Sequence, residues 1–432
     1  MKSFKVNKPQ LRPLHLALLG FCAVATTANA DGWTFGDPQT GQLHIGGAVR
    51  MRYDYVDYPT GGCGTGATTA QVCDPTAGFS GLDFDTLRFE TKYTSPTWNG
   101  YVQYRWYGGG ARAGGYDAYN GYKHLGDFHT LVDAWAGYKF NASHQLQVGL
   151  QPIPFGVGKD WGNTFYLGIA NPLGLEDVHN LGAKYTYEGN GLNIQAGYFP
   201  RDGGTYHGKD SKYGGGGDRY TVNFDKGYGV TDNEEKDMII GKVAYTFKHA
   251  EKSSTEVGLS GWRSKIENKM TQQDGHRTAW MVHAKSQFDK LGLMAQAGKL
   301  DISQEALATT GAAAGTVYVG GFDGSFRIAP KGNIYVAEVN YAVDGNWGYI
   351  SGVMPYINYS TYKKSNSAFA DSTRIIPGVQ FSFGKLYVYA EMHYGKNDPY
   401  VGQSYDSALA EGGGVDRNKW QKAFYMNIGY YF

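Results

Sequence analysis

Cysteine is nearly absent: three residues in 432 leave no room for a disulfide-built scaffold or a multi-cysteine metal centre. Charge is sparse and balanced, 18% of residues with 40 basic against 39 acidic, so no overall field exists to draw in nucleic acid. The apolar run Leu14 to Val24 falls short of the roughly twenty residues a membrane-crossing helix needs, and the rest of the chain offers nothing closer. Repeats of fixed period are missing, which removes a β-solenoid. The histidines stand singly, and Asp202, Asp210 and Asp218 match no calcium-loop spacing, so neither metal nor cofactor is expected.

What is plentiful is aromatic and small: 35 Tyr, 21 Phe, 9 Trp and 63 Gly. Tyr and Trp in such excess suit two interfacial girdles on a membrane barrel, and Gly suits its turns and long loops. Mean hydropathy is negative at −0.44, which a barrel with a polar interior permits.

Residues 1–30 read as a secretory signal. Lys2, Lys5, Lys8 and Arg12 precede the apolar run, and Ala28-Asn29-Ala30 is a small-x-small cleavage site. Cys22 does not mark a lipoprotein, because bulky Phe21 stands where a small residue is needed. The mature chain is expected to start at Asp31 with 36 basic and 39 acidic residues, a net charge of −3 once the four signal cations are removed. Cys63 and Cys73, inside a Gly/Thr-rich segment bound for an oxidising periplasm, are expected to close a loop as a disulfide.

Alternation with period two runs from end to end. In 43–55, Leu43, Ile45, Gly47, Val49, Met51, Tyr53 and Tyr55 alternate with His44, Gly46, Ala48, Arg50, Arg52 and Asp54, as a strand between lipid and a wet lumen requires. The pattern recurs in 84–93, 145–151, 181–188, 191–199, 238–248, 256–263, 278–288 and 386–394. Tight polar or Gly-bearing links, among them 95–100, 141–144, 188–191, 250–254, 289–292, 344–346 and 384–385, alternate with long segments at about 57–82, 109–129, 153–180, 200–236, 265–277, 301–331, 362–371 and 397–418. With both ends in the periplasm, this parity predicts an all-β transmembrane antiparallel barrel of sixteen strands, closing on 419–432. A further hairpin within Val317–Ile328 would make eighteen. The terminus alternates Phe424, Met426, Ile428, Tyr430 and Phe432 with Tyr425, Asn427 and Gly429, a final Phe similar to the assembly signal of outer-membrane barrels.

A barrel of this size cannot fill its lumen with side chains, so it conducts or is plugged. The first strand begins about ten residues after the signal, which leaves no N-terminal plug, and the constriction is expected from a loop folded inward. Segment 152–180 is more apolar and poorer in Gly than the other loops, with Pro154, Phe155, Gly156, Lys159, Asp160, Trp161, Glu176 and Asp177 as its constriction residues.

The run Gln147-Val148-Gly149-Leu150-Gln151-Pro152-Ile153-Pro154-Phe155-Gly156 resembles the entry to the third loop of phosphate-selective porins of the O/P type. Phe383 to Tyr389 and the final Asn427 to Phe432 are similar too. The resemblance implies a sixteen-stranded homotrimeric pore for small anions, in contact with outer-membrane lipid and lipopolysaccharide.

The residues themselves place Arg50, Arg52, Arg88, Lys92, Arg105 and Lys139 on the lumen face of neighbouring early strands, a basic ladder able to fork onto carboxylate or phosphate. Asp160, Glu176 and Asp177 are expected to form a negative wall opposite. The expected function is passive diffusion of small hydrophilic solutes with modest anion preference; Trp161, Phe165 and Tyr166 suit a channel for sugars or aromatic carboxylates instead. A barrel enzyme is not expected, since His124, His129 and Ser143 do not cluster.

Overall fold

The computed structural model describes residues 32–58, 78–107, 125–126, 128–203, 223–224, 229–321, 324–345, 347–404, 406–414 and 416–432. The signal segment, the Cys63 and Cys73 pair and His124 lie outside them. Among the described residues no helix is long and apolar enough to cross a membrane, and the structure is built from strands.

Two strands open the chain, β1 (Trp33–Asp37) and β2 (Gly41–Val56). They are followed by β3 (Phe79–Thr94), β4 (Trp98–Tyr107), β5 (Phe128–Lys139), β6 (His144–Pro152), β7 (His179–Gly189), β8 (Leu192–Arg201) and the short β9 (Asn223–Phe224). The second half contains β10 (Asn233–Ala250), β11 (Ser253–Asn268), β12 (Gln273–Phe288), β13 (Leu291–Ile302), β14 (Val317–Gly321), β15 (Gly324–Ile328), β16 (Lys331–Tyr341), β17 (Gly352–Lys364), β18 (Ser372–Phe383), β19 (Leu386–Lys396) and β20 (Trp420–Tyr431). Sixteen of these close into one antiparallel barrel, sealed where β20 pairs with β2 from Ala48↔Tyr431 to Val56↔Ala423. Closure leaves no unpaired edge in the wall, the condition for β-structure to sit in lipid.

Side chains sort as the alternation demands. Val49, Phe89, Val148, Tyr185, Ile239, Leu259, Trp280 and Tyr335 are exposed on the outside, while Arg50, Gln103, Arg105, Ser260, Gln296 and Glu338 are buried within. The described strands run further than the pattern indicated: the expected long loop 265–277 is a tight turn at 269–272 between β11 and β12. Beyond the apolar band both faces of a strand meet water, so the alternation that marks it fades. The 342–351 link is correspondingly longer than the turn expected at 344–346.

The sequence hid one strand, while its count of sixteen wall strands holds and the alternative of eighteen does not. β1 folds back on β2 from Trp33↔Ile45 to Asp37↔Gly41, continuing the edge that β20 leaves when it ends at Phe432. Gly47 and Phe432 exchange backbone hydrogen bonds of 2.9 and 3.1 Å there, and the Trp33 and Phe432 rings meet edge-on at 6.3 Å. Val317–Ile328 does form a hairpin, but β14 and β15 are not wall strands. They make a three-stranded sheet with β9, and five residues each is too short to span. Their Val317, Val319, Phe326 and Ile328 instead join the core formed by loop 153–178 and the inner wall.

Replacing 316–329 by a short Gly/Ser link is therefore expected to leave the barrel closed. Unboiled protein should keep its fast electrophoretic mobility; collapse to the unfolded mobility would mean that the hairpin belongs to the wall.

Candidate functional site

Loop 153–178 leaves β6 and crosses the lumen along the inner wall. Its apolar residues Ile153, Phe155, Trp161, Ile169, Leu173, Leu175 and Val178 are buried against Trp262, Ile266, Met281, Leu300, Ile334 and Tyr362. At roughly 1.5–3 kcal/mol for each large side chain buried, this packing fixes the loop's position along one side of the lumen. Phe155 is central, edge-on to Trp262 at 5.8 Å and tilted against Trp161 at 6.2 Å. The Arg277 guanidinium lies over the Trp262 ring, 3.9 Å from its centroid.

A buried loop must also satisfy its backbone, and the wall supplies the acceptors. Gly156 N donates to Ser260 Oγ (2.9 Å) and Val157 N to Gln296 Oε1 (2.8 Å). Asn163 N donates to both oxygens of Glu338 at 3.0 and 2.8 Å, its Nδ2 to Glu338 Oε1 at 2.5 Å. Phe165 N donates to Glu391 Oε1 at 2.6 Å, and Ile169 N to Ser360 Oγ at 3.0 Å. Carbonyls are met in turn: Lys242 Nζ reaches Val157 O at 3.1 Å, Arg374 Nη1 reaches Leu167 O at 3.1 Å, and Arg277 donates to Gly174 O. These partners sit on β10–β13 and β16–β19, so the loop spans half the circumference. Gly162 permits the close approach: at φ +137° it presents no side chain where a Cβ would strike the Glu338 carboxylate.

The loop tip then meets the early strands. Arg50 Cζ lies 5.2 Å above the Phe165 ring, and Arg52 Cζ 4.6 Å above that of Tyr166. The predicted ladder is thus brought to the loop, but its charges are compensated within the wall. Arg52 Nε pairs with Asp54 at 2.5 Å, Arg88 Nη2 with Glu90 at 3.2 Å, and Arg50 Nε lies 3.6 Å from Asp85. Asp85 is the extra residue of a bulge opposite Arg50 and Met51, which turns it inward and removes it from the simple alternation. Arg105 donates to neutral acceptors, Gln103 Oε1 at 2.7 Å and the Tyr107 hydroxyl at 3.3 Å. Lys92 is exposed near the end of β3 that leads into the 95–97 turn. Lys139 serves the nearby turn, its Nζ 3.0 Å from Ser95 O.

Nor do the loop acids form an open negative wall. Lys159 holds Asp160 at 2.8 Å and Asp177 at 3.1 Å, and His179 bridges Asp177 (3.0 Å) to Asp133 (2.9 Å). Burial alone would raise the Asp177 carboxyl, but Lys159 and His179 hold it below the ordinary carboxylate range. Glu176 accepts Trp161 N at 2.6 Å, and burial, reinforced by Asp160 and Asp177, pushes its carboxyl up to about 8. It is therefore a neutral hydrogen-bonding group at pH 7. Pro154 is buried with Phe155 and Gly156 at the loop entry.

The sequence reading missed Glu338 and Glu391. Their inward register was legible, yet only the folded loop shows that they meet backbone amides 175 and 226 residues away. Of the catalytic candidates, His129 is bonded to the Tyr104 hydroxyl at 2.5 Å and Ser143 sits in a turn at the opposite end of β5, so the two are not brought together.

No family model and no curated protein sequence matches the chain. Solved structures do. The outer-membrane channel DcaP of Acinetobacter baumannii superposes with a TM-score of 0.55 at 11% identity, covering 92% of this chain and 99% of that one. An anion-selective porin from Comamonas acidovorans gives 0.53 at 14% identity, covering 91% and 100%. The trimer form of OmpT from Vibrio cholerae gives 0.51 at 13%, covering 91% and 100%. At these identities the likeness is one of fold, and it agrees with the closed wall and its apolar outer band: this chain is an outer-membrane β-barrel with the sixteen-strand architecture of porins.

Proposed function

We propose that the protein is a passive porin, residues 31–432 forming the pore after removal of segment 1–30. Small hydrophilic solutes diffuse through a slot between loop 153–178 and the wall of β2–β5. The observation that carries this reading is the loop itself. It narrows the lumen by packing on β10–β13 and β16–β19 and meets Arg50 and Arg52 on the opposite side, which leaves the slot bounded by basic and amide groups.

Modest anion preference is the selectivity this arrangement favours. Arg50, Arg52, Arg88, Arg105 and Lys159 make up the basic set on this side of the loop, Arg105 donating to Gln103 and Tyr107 and drawing electrostatically on Asp177. The other four each have a carboxylate beside them, so the site passes anions rather than retaining phosphate as the O/P-type resemblance implies. A homotrimer embedded in lipid and lipopolysaccharide fits the apolar outer face and the trimer form of the similar OmpT barrel. The fixed, prepacked loop supports diffusion rather than catalysis.

Three outcomes follow. Purified protein in planar bilayers should give conductance steps and, in a KCl gradient, a reversal potential of anion-selective sign. Neutralising Arg50, Arg52 and Arg105 together should move that potential toward the cation side, and cation selectivity of the unaltered protein would overturn the ladder's role.

Glu338→Gln and Glu391→Gln should loosen the loop. A hydrogen bond to a charged acceptor is worth roughly 1.5–3 kcal/mol against about 1 for a neutral one. Larger, noisier steps are expected from either variant, with the barrel still heat-modifiable; unchanged conductance would mean these carboxylates do not set the aperture.

Glu176 makes selectivity depend on pH. Its folded value is raised above the ordinary 4.5, so the stability it lends the loop is full at acid pH and is lost as pH rises through about 8. The same ionisation adds negative charge at the slot. Anion preference should therefore fall between pH 7 and 9, and Glu176→Gln should abolish that change.

A further inference from the structure

Three segments at the end of the barrel that carries the long links are joined to one another. Counted along the wall from β2, β8 and β10 are the seventh and eighth strands, β13 and β16 the eleventh and twelfth, and β19 and β20 the fifteenth and sixteenth. The segments linking these pairs are rooted four strands apart in turn, so the first and last stand opposite each other on a sixteen-strand rim. Backbone pairing nevertheless connects all three. β9 pairs with β14 at Val319↔Phe224 and Gly320↔Asn223, β14 pairs with β15, and Ile328 at the end of β15 bridges in parallel to Leu409. Along that last edge Arg327 N donates to Asp406 O at 3.1 Å and Ala329 N to Leu409 O at 2.8 Å.

Where this sheet lies follows from what it touches. The segment between β19 and β20 is held at Ala408 O by Lys364 Nζ (2.8 Å) and Ser372 Oγ (2.9 Å), at Asp398 by Arg374 Nε (2.5 Å), and at Tyr400 O by the Tyr425 hydroxyl (2.9 Å). Lys364 shares its face of β17 with buried Ser360, and Ser372 and Arg374 share theirs of β18 with buried Gln380, whereas Ile357, Tyr359 and Tyr394 are exposed outside. The segment is therefore bound to the inner wall.

The hairpin is covered on both faces. Val317, Val319, Phe326 and Ile328 share one core with Ile169 and Leu173 of loop 153–178, and Tyr318 on the other face packs with Ala308, Ala313 and Val230. Opening the sheet would expose both clusters, so it is a fixed part of the barrel interior. Arg327 joins the hairpin to the segment between β19 and β20, with Nε on Asp406 at 2.6 Å and Nη1 and Nη2 on the two oxygens of Glu411 at 3.0 and 2.7 Å. A planar guanidinium makes such a fork; a neutral amide does not.

We infer that these three segments form a roof inside the mouth, a second narrowing that limits solute size before loop 153–178 is reached. The inference rests on the pore reading above. It divides the sorting in two, with size decided at the roof and charge at the loop and the arginines. Arg327 is a positioning residue for the roof.

Single pores in KCl, probed with poly(ethylene glycol) of graded size added first to one side and then to the other, test it. Polymer that enters a vestibule lowers the conductance, so each side yields a size cut-off. The two cut-offs should differ. Replacing 316–329 by a short Gly/Ser link should raise the smaller toward the larger and leave the larger unchanged. If that variant fails to insert, Arg327→Gln should shift the smaller cut-off in the same direction. Equal cut-offs in the unaltered protein, or a smaller cut-off that neither variant moves, would overturn the roof and leave the pore standing. A rise of both cut-offs together would overturn it too, since the segments would then act only through loop 153–178. Absence of steps in KCl alone would overturn the pore.

Discussion

Inside a barrel too wide to fill itself, loop 153–178 holds its place only where its backbone finds partners, and the carboxylates of Glu338 and Glu391 are the most demanding of them. Each is buried on the inner wall and each accepts amide hydrogens from the loop. Left unmatched, either would be a charge stranded in low dielectric. Loop and wall therefore satisfy each other, and the loop's position inside the barrel depends on that mutual fit.

The apolar side of the same loop does a second job. Phe155, Trp161, Ile169 and Leu173 share one core with wall residues and with the β14–β15 hairpin. Arg327 ties that hairpin to Asp406 at 2.6 Å and Glu411 at 2.7 Å, and Ala329 N bonds Leu409 O at 2.8 Å. The segments around Arg327 and Leu409 thus lean on the same core as the loop.

Charge on the inner wall of the early strands is arranged in close pairs along the strands. Arg52 with Asp54 and Arg88 with Glu90 are two residues apart on one strand face, a spacing that puts both heads on the same side. Such pairs weaken a long-range field yet keep guanidinium groups available at short range.

The sequence by itself determined the wall. Alternation fixed which side chains face lipid, and the order of tight and long links fixed sixteen strands with β20 returning to β2, because strand pairing between neighbours is a local matter of period and turn. It also picked out 152–180 as the segment packed inside, from its apolar content. Only the tertiary structure decided what that loop touches. The bulge that brings Asp85 beside Arg50, the fold-back of β1 onto β2, the removal of Val317–Ile328 from the wall, and the contacts of Asn163 and Phe165 with Glu338 and Glu391 all join residues far apart in the chain. Period-two patterning is blind to such contacts, since it reports which face a residue takes and not what lies across the lumen from it.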